Sequence, residues 1–291
     1  MEDNMLILPD GRQIAYVEYG NPNGKPIILF HGNRNSRLMY EFISDYAYKS
    51  NLYVIVPDRP GYGLSDFYSH GSSIVDYPSD VTFLADSLDI DRFAVFGYSC
   101  GGPFALACAW KIPERITAVG VFASIGPLNP ESSFGIPSGL RTLYWLSGRI
   151  PWSVRISLGI TSYVVKHHID TYLKIIHSSL SKTDKEIYGR LGLREKLRAD
   201  RIEGFRQGGR AAAYDLSLAA KWPIPLDQIN TRVHLWQGLE DKVVGRMGNY
   251  MARYISDCEA IFMTWVGHYW IFDHLPRMLD ELLEYDVKSS I

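Results

Sequence analysis

Ser99 lies in the run Phe93-Ala-Val-Phe-Gly97-Tyr98-Ser99-Cys100-Gly101-Gly102-Pro103, with a glycine two positions to either side and an apolar segment before it. A G-x-S-x-G pattern at a junction from strand to helix places a serine on a sharp turn, whose neighbours must be small for the two elements to approach. The pattern alone is common; its position at such a junction makes it informative. A serine hydroxyl is a weak nucleophile near neutral pH and needs a base, which needs a carboxylate to orient it. The histidines after Ser99 are His167, His168, His177, His234, His268 and His274. His268 directly follows the run 259–265, in Val266-Gly267-His268, which puts it at the C-terminal edge of a sheet, where ligands bind in open α/β folds. His274 falls in the next helical run and reads as a packing or surface residue. His167 and His168 fall in a helical stretch, and His234 inside a strand.

The loop after the run 231–236 reads Gln237-Gly-Leu-Glu240-Asp241-Lys-Val-Val244 and supplies the acid. Asp241 is the choice, with Glu240 its neighbouring rival. The end of the preceding strand, the other place for such an acid, carries Ser124 and no carboxylate. Negative charge developing on a carbonyl oxygen needs two backbone N–H groups, each worth roughly two to three orders of magnitude in rate. One is expected from Cys100, the other from Asn33 in His31-Gly32-Asn33-Arg34-Asn35-Ser36, where Gly32 lets the backbone turn. His31 reads as a brace for that loop rather than a base. Cys100 is set aside as a nucleophile because its side chain should point away from the site.

These residues need a sheet to hold them. Met5–Tyr19 is two β-prone runs around Asp10-Gly11, the local signature of a hairpin. The runs 26–30, 52–56, 93–96 and 116–122 are short and apolar, as fully buried strands are, and helical patterns at 37–49, 79–89 and 100–111 separate them. Such alternation predicts right-handed crossovers and a mostly parallel sheet covered on both faces. From 129 to 228 it stops and several helices are expected. It then resumes with strand 231–236, helix 244–256, strand 259–265 and helix 271–285.

The chain has 291 residues, 46% hydrophobic and 21% charged, with a formal net charge of −2. These values exclude a disordered, collagen-like or supercharged chain and argue against nucleic-acid binding over the whole surface. The charge is uneven: 129–228 carries 15 Lys and Arg against 9 Asp and Glu, net +6, leaving −8 elsewhere. A solvated helical surface accounts for that. A basic, aromatic-bearing lid that approaches anionic lipid or an acidic substrate is the rival reading, motivated by Trp145 and Trp152 near Arg141, Arg149 and Arg155; those tryptophans could equally be core anchors. Three cysteines, Cys100, Cys108 and Cys258, do not make a disulfide framework or a zinc site. With an acidic start and no apolar stretch of about 18 residues, a cytoplasmic protein is expected.

The motifs His31-Gly-Asn33, Asp58-Arg-Pro-Gly61-Tyr-Gly63-Leu-Ser65, Gly97-Tyr-Ser99-Cys-Gly101, Gly238-Leu-Glu-Asp241 and Gly267-His268 together resemble the α/β-hydrolase superfamily. The resemblance implies an α/β-hydrolase core at 1–128 and 229–291, a helical cap inserted at 129–228, a Ser99–Asp241–His268 triad, and an oxyanion hole from Asn33 and Cys100. The Asp58–Gly63 turn resembles the family's structural loop and is given no catalytic role. Dehalogenase and epoxide-hydrolase relatives carry an aspartate where this chain has Ser99. Proline iminopeptidase relatives carry His-Gly-Gly-Pro-Gly where this chain has His31-Gly-Asn-Arg-Asn35. The expected function is hydrolysis of a carboxylic ester of a small hydrophobic substrate, with no metal or organic cofactor. Cleavage of an amide or a carbon–carbon bond on the same triad, or a small-molecule receptor with little turnover, are the alternatives.

Overall fold

The computed structural model describes residues 3–69 and 73–289. Among these, eight strands form one sheet: β1 (Asn4–Ile7), β2 (Gln13–Gly20), β3 (Lys25–Phe30), β4 (Leu52–Pro57), β5 (Phe93–Tyr98), β6 (Ile116–Phe122), β7 (Val233–Gly238) and β8 (Cys258–Met263). Their spatial order is β1-β2-β4-β3-β5-β6-β7-β8. The first two strands pair antiparallel around the expected Asp10-Gly11 turn, β2 also pairs antiparallel with β4, and the remaining pairings are parallel. β4, β5 and β7 are buried along their whole length, as continuous apolar runs must be when helices cover both faces. The edge strand β8 is only half-buried.

The helices are α1 (Ser44–Lys49), α2 (Tyr77–Ser87), α3 (Gly102–Lys111), α4 (Ser138–Arg149), α5 (Pro151–His167), α6 (Ile169–Ser179), α7 (Lys182–Tyr188), α8 (Leu191–Gly204), α9 (Arg210–Ala220), α10 (Met247–Tyr254) and α11 (Ile271–Ser289). Helices α4 to α9 make up the insert between β6 and β7. Among the boundaries that differ from expectation, two have local reasons. The single helix expected over 37–49 is a 3-10 turn, Arg37–Ile43, followed by α1; Ser36 caps the turn by accepting the Leu38 N–H. The helix expected from residue 100 begins at Gly102, because Ser99–Gly101 is itself a 3-10 turn. The last two strands each lie shifted, at 233–238 and 258–263.

The chain leaves β3 toward β4 on one side and returns to β5 on the other. The loops after β3 and β5 therefore diverge at the switch point of the sheet, where a crevice forms at the carboxyl ends of the strands. Both loops carry expected site residues. None of the helices among the described residues is long and apolar enough to cross a membrane.

Candidate active site

Ser99 has φ +54°, a left-handed conformation uncommon for a residue with a Cβ. The glycines around it are sterically required. A Cβ on Gly97 would sit 2.5 Å from the Gly101 carbonyl oxygen, and one on Gly101 would sit 2.1 Å from the Phe30 carbonyl oxygen. Strand β5, helix α3 and the end of β3 thus converge too closely for any side chain. The turn holds Ser99 at the crevice, 5% exposed.

His268 and Asp241 reach the same point from the ends of β8 and β7. His268 Nε2 lies 3.1 Å from Ser99 Oγ, and its Nδ1 lies 2.7 Å from Asp241 Oδ2. Asp241 Oδ1 accepts the N–H groups of Val243 at 2.8 Å and Val244 at 3.2 Å, which fixes the plane of the carboxylate. With Asp241 accepting at Nδ1, Nε2 is free to take a proton from Ser99. Glu240 takes no part in these contacts. Ser124, where no carboxylate was found in the sequence, has its Oγ donated to the Ile125 carbonyl.

Asn33 and Cys100 both line the cavity at Ser99. The Asn33 side chain donates to the Ala212 carbonyl at 3.0 Å and to Asp215 Oδ2 at 3.2 Å, so its backbone is held in place by helix α9. Burial pushes the Cys100 thiol pKa up, which disfavours the thiolate although the residue lines the cavity. His31 is a brace, as expected. Its Nε2 accepts the Arg59 N–H at 3.0 Å, so Nδ1 carries the proton and donates to the Gly32 carbonyl at 2.9 Å. Burial, and then the Arg59 charge, hold its pKa well below the ordinary value of 6.5. His234 is buried in β7 with Nδ1 3.5 Å from Glu259, and His274 stacks on Trp270 at 3.6 Å.

Sequence reasoning missed the residues that position the loop after β3. Arg59, in the turn that follows β4, donates to Asp215 at 2.8 and 2.7 Å and to the Gly32 carbonyl at 3.0 Å, all buried. Tyr62 donates to the same Asp215 at 2.6 Å. The Asp58–Gly63 turn is therefore a buttress for the Asn33 backbone. Helix α8 adds Asp200, which accepts from Asn35 Nδ2 at 2.5 Å and from the Ser36 N–H at 2.8 Å. It also brings Gly204 so close that a Cβ there would sit 2.6 Å from the Arg34 carbonyl oxygen. Helix α7 contributes Asp184, whose two oxygens accept the backbone N–H groups of His268 at 3.1 Å and Tyr269 at 2.8 Å. The only sequence signal for these contacts is Ser181 three residues before Asp184, an N-cap that accepts the Asp184 N–H.

The alternative that Trp145 and Trp152 are core anchors is corrected: both are exposed, at 50% and 64%. Among the described residues no group of three or more His, Cys, Asp or Glu side chains is arranged to hold a metal ion.

The family model described as alpha/beta hydrolase fold matches residues 25–258. A proline iminopeptidase of Xylella fastidiosa is 31% identical over 121 residues, covering 40% of this chain and 37% of the relative. Haloalkane dehalogenase 2 of Mycobacterium bovis is 32% identical over 108 residues, covering 37% of each. The chain thus matches little more than a third of the length of these relatives. The esterase EaEST from Exiguobacterium antarcticum superposes with a TM-score of 0.73 at 17% identity, covering 98% of this chain and 99% of that one, a likeness of fold. With the switch-point crevice, the serine turn and the family match in agreement, the chain belongs to the α/β-hydrolase fold family.

Proposed function

We propose that the protein is a serine hydrolase of the carboxylesterase type, acting on a small ester through an acyl-enzyme intermediate. The observation that carries this reading is the continuous hydrogen-bonded series Ser99 Oγ, His268 Nε2, His268 Nδ1 and Asp241 Oδ2, at 3.1 and 2.7 Å. In it His268 takes the Ser99 proton as Oγ attacks the acyl carbon, and Asp241 stabilises the imidazolium that forms. The backbone N–H groups of Asn33 and Cys100 receive the oxyanion. His268 then protonates the departing alcohol, and water drawn in by the same imidazole releases the acid.

The insert acts as a cap, because helices α4, α6, α8 and α9 supply Leu140, Tyr172, Arg201 and Leu216 to the wall around Ser99. The cavity measures about 230 Å³, below the roughly 300–1,000 Å³ of sites for drug-sized ligands, which favours a short acyl group. A serine at position 99 disfavours the aspartyl-ester chemistry of a dehalogenase.

Labelling with a fluorophosphonate tests the nucleophile. The wild-type protein should be labelled on one serine and hydrolyse short-chain aryl esters, and Ser99→Ala should lose both while keeping its thermal unfolding profile. Substantial esterase turnover in Ser99→Ala would sink the assignment.

A further inference from the structure

The cavity at Ser99 is lined by two arginines, Arg34 from the loop after β3 and Arg201 from helix α8, and by no aspartate or glutamate among the described residues. Buried cations are ordinarily paired. Arg34 makes no ion pair among the described residues, and its Nε is buried without a hydrogen-bond partner. Arg201 is 6% exposed; its Nη1 donates to the Asn33 carbonyl at 3.5 Å, and Asp200, 3.6 Å away, is already engaged by Asn35 and Ser36. Asp200 offsets part of the Arg201 charge, while Arg34 is half-buried and has no carboxylate partner among the described residues. A purely hydrocarbon substrate would fill this cavity and leave a buried guanidinium nitrogen unsatisfied, which is costly. A carboxylate would satisfy it, since the planar guanidinium fork matches carboxylate geometry.

We propose that the cavity selects esters that carry a carboxylate group in addition to the scissile ester, with Arg34 and Arg201 as its receptors. This rests on the serine-hydrolase reading, and it amends the expectation of a simply hydrophobic substrate: the apolar wall of Leu140, Leu180, Leu216 and Val243 faces the hydrocarbon, and the arginines face the anion.

Two isosteric pairs test it by proton release in a pH-stat. Monoethyl succinate against ethyl 4-methylpentanoate places the anion on the acyl side, and 3-acetoxypropanoate against isopentyl acetate places it on the alcohol side. In at least one pair the wild-type kcat/KM should favour the anion about ten-fold or more, the scale of one charge-assisted hydrogen bond. Arg34→Met should reduce that ratio about ten-fold; Arg201→Met should do the same, and if it fails to fold, Arg34→Met decides. A role of Arg34 confined to the oxyanion would lower both members of a pair together and leave the ratio unchanged, which overturns the proposal. So does the absence of any anion preference in both pairs, with the hydrolase reading intact. Calorimetric titration of Ser99→Ala with succinate reads the site without turnover. Binding that Arg34→Met abolishes would uphold the anion site even if no ester were cleaved, and absence of binding would count against it.

On the outer side of the insert, helix α5 is apolar on two faces. Val154, Leu158 and Val165 are buried, while Trp152, Ile156, Ile160 and Tyr163 form a second, exposed stripe at helical spacing. From Ser138 to Ile169 the chain carries Arg141, Arg149, Arg155 and Lys166 and no acidic residue. Trp145, on the adjoining helix α4, is exposed beneath the Arg149 guanidinium. Exposed tryptophan and isoleucine among unopposed cations match an anionic lipid surface in both charge and polarity.

We infer that this face of α5 docks on anionic lipid. Sedimentation with phosphatidylcholine vesicles containing phosphatidylglycerol should carry the protein down, and phosphatidylcholine alone should not. Added salt should release it, and so should the combined change Trp152→Ser, Ile156→Ser and Ile160→Ser, with an unaltered circular dichroism spectrum. No sedimentation overturns the inference. So does a concentration-dependent dimer in lipid-free solution that the same triple change dissolves, because a second copy would then be what covers the stripe.

Discussion

The carboxylate of Asp184 accepts the backbone N–H of His268 at 3.1 Å, so a helix of the insert holds the residue that lies against Ser99. Its other oxygen takes the Tyr269 N–H at 2.8 Å, and both oxygens are thereby committed to the turn that carries the imidazole. The approach depends on Gly267: a Cβ there would lie 2.4 Å from the Asp184 carboxylate oxygens.

Asp184→Ala should therefore leave two buried N–H groups unsatisfied, at about 1–3 kcal/mol each if no water enters. The expected outcome is a lower melting temperature together with a kcat reduced about ten-fold, the size of a modest loss of orientation. Gly267→Ala should reproduce the kinetic defect by expelling the carboxylate. Steady-state kinetics with a soluble ester and thermal unfolding of both variants check this; unchanged kcat in Asp184→Ala would mean that the turn holds itself.

Asp241→Asn should be far more damaging to turnover than to stability. Oδ1 of Asp241 accepts from Val243 and Val244, so an asparagine keeps its oxygen there and turns its NH2 toward His268. Nδ1 must then accept, the proton moves to Nε2, and the imidazole presents a donor to Ser99 in place of an acceptor. A fall in kcat of about four orders of magnitude, with a nearly unchanged melting temperature, is the expected result.

Ser99, Asp241 and His268, which the structure brings together, could be read from the chain because each follows a strand-like run whose end marks the carboxyl edge of the sheet. The strands were legible for the same reason: β4 and β5 are apolar throughout because both of their faces are covered. Asp184, Asp200, Arg201 and Asp215 were not legible. They lie within helices of the insert, and their partners are remote in sequence: Asp184 is 84 residues from His268, and Asp215 is 156 from Arg59. No local period records a contact of that length. The exposure of Trp152 was hidden likewise, because α5 has apolar residues on both faces and periodicity alone does not say which one packs.

Removal of Asp215 should strip the buttress from the loop after β3. Asp215→Ala leaves the Arg59 guanidinium fully buried without its carboxylate, a loss on the order of 3–5 kcal/mol. It also removes an acceptor of the Asn33 side chain. Chemical denaturation should show a large drop in stability. Partial restoration is expected from the double change Asp215→Leu with Arg59→Met, which leaves no unpaired charge. Failure of the double variant to regain stability would assign the loss to packing rather than to charge.

His31 makes folding sensitive to mild acid. Burial, and after it the Arg59 charge, keep the folded imidazole neutral well below 6.5, while in the unfolded chain it titrates near that value. Below 6.5 the unfolded chain takes up a proton that the folded one refuses, so stability present above that pH is lost as the pH falls, by up to about 1.4 kcal/mol per pH unit. Asp200 works in the opposite sense over a lower range. Burial raises its carboxyl to about 6, so the folded state holds a proton that the unfolded one releases above 3.8, and stability declines as the pH rises from that value to about 6. Comparing wild type with His31→Gln, whose amide can both accept from Arg59 and donate to Gly32, isolates the histidine. The stability advantage of wild type over His31→Gln should shrink as the pH is lowered from about 8 to 5, and a constant difference across that range would show that His31 takes up a proton equally in both states.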